Sequence, residues 1–133
     1  MNILFVCRHN RFRSVMAEGL FRKYNTNKSL KIKSAGPIMG KPVGPAMREV
    51  AREFGIKIKQ TPTGLSTDIL DEQDIIVIVA DDVPASLFDK SKKQGTKIIV
   101  WRIPDRKTHK VKEMSNITKR IEDKVIALAK ELA

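Results

Sequence analysis

Cys7 is the only cysteine among 133 residues. Its solitude excludes an internal disulfide framework and any metal site built from several cysteines, and no metal or other cofactor is expected. Aromatic residues are scarce at 5%, so the chain lacks the interleaved rings on which single-stranded bases stack. Acidic residues are outnumbered: 26 Lys and Arg face 15 Asp and Glu, a formal charge of +11. Such a surplus attracts anions without naming them. It is spread through Lys57, Lys59, the stretch from Lys90 to Lys97, the stretch from Arg102 to Lys112, Lys119 and Arg120. No single basic block forms, which is the pattern of a solvated surface rather than of a nucleic-acid-binding face. No apolar run reaches the ~20 residues of a membrane span. The first, Ile3 to Val6, is four residues long and runs straight into charge, so neither a signal peptide nor a membrane partner is expected. A free thiol suits a reducing compartment, and the cytoplasm is the expected address.

What is present reads as one globular domain over residues 1–133, with 41% hydrophobic and 31% charged residues. Short apolar runs alternate with helical patterns, the signature of a parallel α/β sheet. Strands are predicted at Asn2–Val6, near Leu30–Lys33, at Ile75–Val79 and at Lys97–Trp101. The run Ile75–Val79 is continuous and β-branched, as in a strand buried on both faces. Ser14 to Tyr24 carries Met16, Ala17, Leu20, Phe21 and Tyr24 at helical spacing. Pro45 opens a second helix with Met47, Val50, Ala51 and Phe54 on one stripe, and Gly55 is placed to stop it in a left-handed turn. Lys57 to Leu70 reads as loop with room for one short helix, and Val83 to Phe88 as the start of another. Ser115 is the expected cap of a last helix whose stripe is Ile117, Ile121, Val125, Leu128 and Leu132. The expected fold is a three-layer α/β/α arrangement around a four-stranded parallel sheet, with a phosphate-binding loop after the first strand. Ligands of such sheets bind beyond the carboxyl ends of the strands. Cys7, Ser34, Asp81 and the Arg102–Arg106 loop all stand at such ends.

The segment Cys7-Arg8-His9-Asn10-Arg11-Phe12-Arg13-Ser14 carries the chemistry. Strand, short loop and helix start, in that order, let the backbone N–H groups of residues 8–14 converge on an oxyanion, and the helix N-terminus adds partial positive charge. The planar fork of Arg13 can hold two phosphate oxygens. Positive surroundings favour a Cys7 thiolate, the form that attacks phosphorus. A lone cysteine at the end of a buried strand is more often a small hydrophobe. Arg13 and Ser14 at this spacing, directly before a helix, favour the nucleophile. Arg8 and Arg11 add positive field. His9 has no carboxylate partner in sequence and reads as a loop residue, and His109 is assigned no role. Asn10 tolerates the left-handed backbone a tight loop needs, and its amide is expected to tie the loop to Ser34. Ser14 can donate a hydrogen bond to the Cys7 sulfur or cap the helix, and the two roles are compatible.

Cleaving an ester also requires an acid for the leaving oxygen. Asp105, just past the fourth strand and stiffened by Pro104, is the best-placed candidate, and activation of water in a second step falls to the same group. Its ordinary role would be a surface aspartate paired with Arg102 or Arg106. Asp82 is the expected helix cap after the third strand, and Asp81 a brace for the phosphate loop.

These residues resemble the low-molecular-weight protein tyrosine phosphatase family over nearly the whole chain. The family motif, a cysteine, five residues, an arginine and a serine after a strand, is here Cys7 to Ser14, and Val15-Met16-Ala17-Glu18 continues like the family's helix start. Ser34-Ala35-Gly36 is similar to the second-strand motif. The resemblance implies hydrolysis of phosphate monoesters, of phosphotyrosine type or aryl phosphates, through a phosphocysteine. The substrate would be a phosphorylated protein or small molecule, with inorganic phosphate as product. It implies Cys7 as nucleophile, Arg13 as phosphate ligand, Asp105 as acid then base, and Ser14, Asn10, Ser34 and Asp81 as supports. Four departures bear on substrate more than on chemistry. His9 stands where the family often has glycine, and Arg106 rather than proline follows Asp105. Lys107 and Thr108 occupy the place of aromatics that line the phosphotyrosine cleft. A histidine that often supports the loop asparagine is replaced, with Thr61 the expected substitute. The same fold serves arsenate reductases. With one cysteine, only a reductase drawing on an external thiol stays open as an alternative, beside a non-enzymatic anion- or nucleic-acid-binding module.

Overall fold

The computed structural model describes all 133 residues. Four strands, β1 (Asn2–Val6), β2 (Lys31–Ala35), β3 (Ile75–Val79) and β4 (Lys97–Trp101), form one sheet in the order β2-β1-β3-β4. Every pairing is parallel, with Val6 beside both Ala35 and Ile78, and Val79 beside Trp101. Five helices cover the two faces: α1 (Arg13–Tyr24), α2 (Pro45–Glu53), α3 (Thr67–Asp71), α4 (Asp89–Lys93) and α5 (Val111–Glu131). A 3₁₀ turn at Ala85–Phe88 leads into α4.

The two-residue period of the strands divides the core. On one face Ile3, Phe5, Ile75, Val77 and Val79 pack beneath α1, α2 and α5, through Met16, Leu20, Phe21, Met47, Val50, Ile121 and Val125. On the other face Leu4, Val6, Ile76 and Ile78 meet Val83 and Phe88, with Ile69 and Leu70 of α3 beside them. The Phe5 ring lies 5.5 Å from that of Phe21 and 6.0 Å from that of Trp101, both tilted, a geometry that adds to the gain from area alone. The chain leaves β1 toward β2 on one side and returns to β3 on the other. The carboxyl ends of β1 and β3 therefore flank a topological switch point, where such sheets bind ligands. Cys7 is the first residue past β1 there.

Several boundaries differ from the sequence expectation, each for a local reason. Helix α1 starts at Arg13 with Phe12 at the cap position and no side-chain cap bond, so Ser14 lies inside the helix and does not cap it. The helix expected from Val83 begins later, because Pro84 is extended (ψ 131°) and a residue before proline is held out of helical backbone. Asp82 is therefore no helix cap. Helix α5 begins at Val111, ahead of Ser115, whose hydroxyl instead donates to Glu53 of α2 at 2.9 Å. No side chain caps its first turn; Glu113 within that turn reaches back to the preceding loop, its carboxylate accepting the N–H groups of Lys107 at 2.6 Å and Thr108 at 2.9 Å. A negative charge is favoured at that end of a helix. These bonds, that of Thr108 foremost, hold the Glu113 carboxyl below the ordinary glutamate range. Gly55 does stop α2, at φ 66°. No helix is long and apolar enough to cross a membrane.

Candidate active site

The loop from Cys7 to Phe12 joins β1 to α1 and turns at Asn10, whose φ is 48°. Asparagine takes that left-handed backbone at low cost. The N–H groups of residues 8–15 donate to no carbonyl or side chain of the protein. Successive unpaired donors at a helix N-terminus make a concavity suited to an anion.

Beneath the loop, each polar side chain has a partner. Ser14 Oγ stands 3.0 Å from Cys7 Sγ and accepts from Asn10 Nδ2 at 2.7 Å. With one lone pair of the hydroxyl so occupied, its proton is free to point at sulfur. Asn10 Oδ1 accepts the Thr63 N–H at 2.8 Å. Lys59 Nζ spans Thr63 Oγ1 at 3.0 Å and the Ser34 carbonyl at 2.8 Å. Burial pushes the Lys59 ammonium below the ordinary lysine range, with the Glu18 and then the Cys7 charge opposing. Gly36 passes directly under the loop. A Cβ there would lie 2.6 Å from the Cys7 carbonyl and 2.8 Å from the Asn10 nitrogen, so only glycine permits this approach.

Ser34 does not meet Asn10. Its hydroxyl donates to Glu18 at 2.6 Å, and it joins the loop only through its carbonyl and Lys59. The partner of Asn10 is Thr63, not Thr61. The reason is a short parallel bridge between Gly36 and Gly64, with the Gly36 N–H donating to the Thr63 carbonyl at 3.0 Å. That bridge lays residues 63–64 alongside the loop.

Arg13 is almost wholly buried at 2% exposure. One terminal nitrogen donates to the Ile103 carbonyl and the other to Asp82, both at 2.9 Å. Asp81 lies at 3.6 Å and Asp105 at 3.7 Å from the same guanidinium. Asp82, read from sequence as a cap, is thus its nearest carboxylate, and Asp81 stands farther off. Ile103 is itself positioned because the Asp81 N–H donates to its carbonyl at 3.2 Å, extending the β3–β4 ladder past the strands. The loop carrying Asp105 is thereby tied to the end of β3. Asp105 Oδ1 accepts the Arg106 N–H at 2.8 Å, while Oδ2 faces Arg13.

Cys7, Arg13 and Asp105 line a single cleft of about 370 Å³ together with His9, Arg11, Phe12, Met39, Gly40, Lys41 and Arg106. Of the other loop residues expected to hold phosphate, Arg8 is exposed, while Asn10 and Ser14 lie below the cleft. Those three offer backbone only. The far wall is the segment 37–44. It hangs from the loop through Ile38 N–H to the Arg8 carbonyl and Gly40 N–H to the His9 carbonyl, each 3.1 Å, with His9 Nδ1 3.1 Å from the Ile38 carbonyl. Arg106 stacks on Phe12, its guanidinium carbon 5.5 Å from the ring centre. Sequence reasoning missed Met39, Lys41, Lys59, Thr63 and the Asp82 pairing. The Gly- and Pro-rich run after β2 was the only signal for the wall.

An all-parallel sheet with a buried thiol and a buried guanidinium, joined by one anion-receiving loop at the switch point, defines a class: the cysteine-dependent hydrolases of the protein tyrosine phosphatase type. The sequence profile of the low molecular weight phosphotyrosine protein phosphatases matches residues 2–133, and the chain belongs to that family. The low molecular weight protein tyrosine phosphatase of T. tengcongensis is similar at a TM-score of 0.85 and 25% identity, over 98% of this chain and 99% of that one. An arginine phosphatase of Geobacillus stearothermophilus gives 0.84 at 21% identity, over 98% and 92%. The arsenate reductase of Archaeoglobus fulgidus gives 0.74 at 28% identity, over 96% and 98%. No curated protein matches the chain in sequence.

Proposed function

We propose that the chain hydrolyses phosphate monoesters, aryl phosphates of the phosphotyrosine type among them, through a phosphocysteine. The observation that carries this reading is the 3.0 Å contact of Cys7 Sγ with Ser14 Oγ beneath a loop of unpaired N–H groups. Arg13 and Asp105 open on the same cleft.

In the first step the phosphate dianion rests on the loop N–H groups and the Arg13 fork. The Cys7 thiolate gives its electron pair to phosphorus. An S–P bond forms as the ester P–O bond breaks, and the leaving oxygen takes a proton from the Asp105 carboxyl. In the second step the Asp105 carboxylate takes a proton from water, whose oxygen attacks phosphorus. The S–P bond breaks, inorganic phosphate leaves, and the hydroxyl of Ser14 donates to the returning thiolate. A buried, unpaired thiol of this kind suits a reducing compartment, and the cytoplasm is the address we assign it.

Turnover of p-nitrophenyl phosphate, competitive inhibition by vanadate and loss of that turnover in Cys7→Ser are the expected results. Acid-quenched Asp105→Asn examined by mass spectrometry should carry a phosphoryl group on Cys7. Absence of turnover together with indifference to vanadate would overturn the reading. The A. fulgidus arsenate reductase shares the fold at 28% identity, and arsenate has the shape of phosphate. Arsenite production that depends on added thiol, without ester hydrolysis, would replace the phosphatase by a reductase.

A further inference from the structure

Three cations line the cleft besides Arg13, and they are not neutralised alike. Arg13 is answered by Asp82 and Asp81. Arg106 has only Asp105, at 3.5 Å, and its buried Nε–H has no acceptor. Arg11, Arg13 and Arg106 line the one cleft, and burial pushes the Arg106 guanidinium down, Asp105 opposing and Arg11 and Arg13 adding to the fall. Arg11 has no carboxylate partner. Its Nε donates to the Pro42 carbonyl at 3.2 Å, which pins the side chain to the wall and leaves its terminal nitrogens free. Lys41, exposed on the same wall, has no partner either. Asp105 is the one carboxylate on this rim, set against three cations, so the balance falls to the ligand.

We infer, on the basis of the phosphomonoesterase reading, that the cleft selects phosphate monoesters whose organic part carries a second anionic group, a phosphate or carboxylate, seated among Arg11, Lys41 and Arg106. The scissile phosphate goes to the loop and Arg13, while the second anion takes the three cations of the rim. The same charges disfavour substrates with a positive group beside the phosphate.

The test compares kcat/KM for two matched pairs at low salt. One pair is 3-(2-carboxyethyl)phenyl phosphate against 3-(2-aminoethyl)phenyl phosphate, whose alkyl spacers keep the leaving groups alike. The other is a phosphotyrosine peptide flanked by aspartates against the same peptide flanked by lysines. The anionic member should be preferred about tenfold, the sum of several partly exposed charge contacts. That ratio should shrink with added salt and fall toward one in Lys41→Gln and Arg11→Gln. The ratio is the readout, so a general loss of rate in a variant cancels. Preference in the aryl pair alone assigns the second anion to small molecules, and preference in the peptide pair alone to phosphoproteins. A ratio at or below one in both pairs, with phenyl phosphate still hydrolysed, overturns the inference and leaves the phosphatase standing. A ratio that persists unchanged in both variants overturns the seat assigned to it. Failure to hydrolyse any of these esters removes the phosphatase reading itself, and this inference with it.

Discussion

Beneath the Cys7–Ser14 loop, Asn10, Ser14, Thr63 and Lys59 hold one another and the thiol through contacts of 2.7 to 3.0 Å. At the mouth of the cleft, Arg11, Lys41 and Met39 share a single side-chain hydrogen bond, Arg11 to Pro42, and Met39 is 64% exposed. The floor is over-determined: each group is oriented by another whose own position is fixed, and an error in one would strand a buried donor or acceptor. The rim carries no such constraint. Residues there can change at little cost to folding, so in the proposed function the floor sets the chemistry and the rim sets what is brought to it.

Replacing the proposed nucleophile strikes the floor at its centre. Cys7→Ser is expected to lower kcat about 10⁴-fold or more with the fold retained, measured by steady-state assay beside circular dichroism. Asp105 cuts across the division, since it stands at the mouth yet is the acid of the proposed chemistry. Asp105→Asn should cost about 10²–10³ on esters with poor leaving groups and far less on those with good ones. Equal losses on both would remove the acid role.

Asn10→Ala removes two hydrogen bonds and puts alanine at φ 48°. It should lower stability by about 2 kcal/mol, read from urea unfolding, and kcat should fall with it because Ser14 loses its orientation. Lys41→Gln, at the rim, should leave stability within about 0.5 kcal/mol. If its unfolding midpoint drops as far as that of Asn10→Ala, the contrast between floor and rim is wrong.

The smallest effect concerns the loop behind Asp105. A carboxyl held low in the folded state adds stability above its unfolded titration range and loses it as pH falls through the folded one. For Glu113 that loss lies below the ordinary glutamate range. The amide protons of Lys107 and Thr108, followed by NMR, should keep their hydrogen-bonded shifts at neutral pH and lose them only in strong acid. In Glu113→Gln the shifts should differ from wild type already at neutral pH.

Much of the framework was legible before the structure. The β-branched run Ile75–Val79 and the apolar run Ile3 to Val6 left few choices for β1 and β3, because a central parallel strand buries both faces. Gly55 ended α2 as its type requires. Ser115 misled because a serine before an apolar stripe resembles a cap, whereas the helix begins a turn earlier, at Val111, with no side-chain cap. Asp82 misled for the opposite reason: nothing near it in sequence hints at Arg13, which lies 69 positions away. Ser34 was correctly placed at a strand end, but the carboxylate of Glu18 took its hydroxyl.

By itself the sequence determined which groups meet at the loop to which we assign the chemistry. Cys7, Arg13 and Ser14 share one short loop between a strand and a helix, so local backbone geometry alone brings them together. Tertiary structure decided what holds and surrounds them. Thr63 reaches Asn10 across 53 positions and Ile103 reaches Arg13 across 90, through a parallel bridge and a ladder that no local spacing encodes. The charged rim arises in the same way, where the 37–44 wall, the loop and Arg106 converge from three separate parts of the chain.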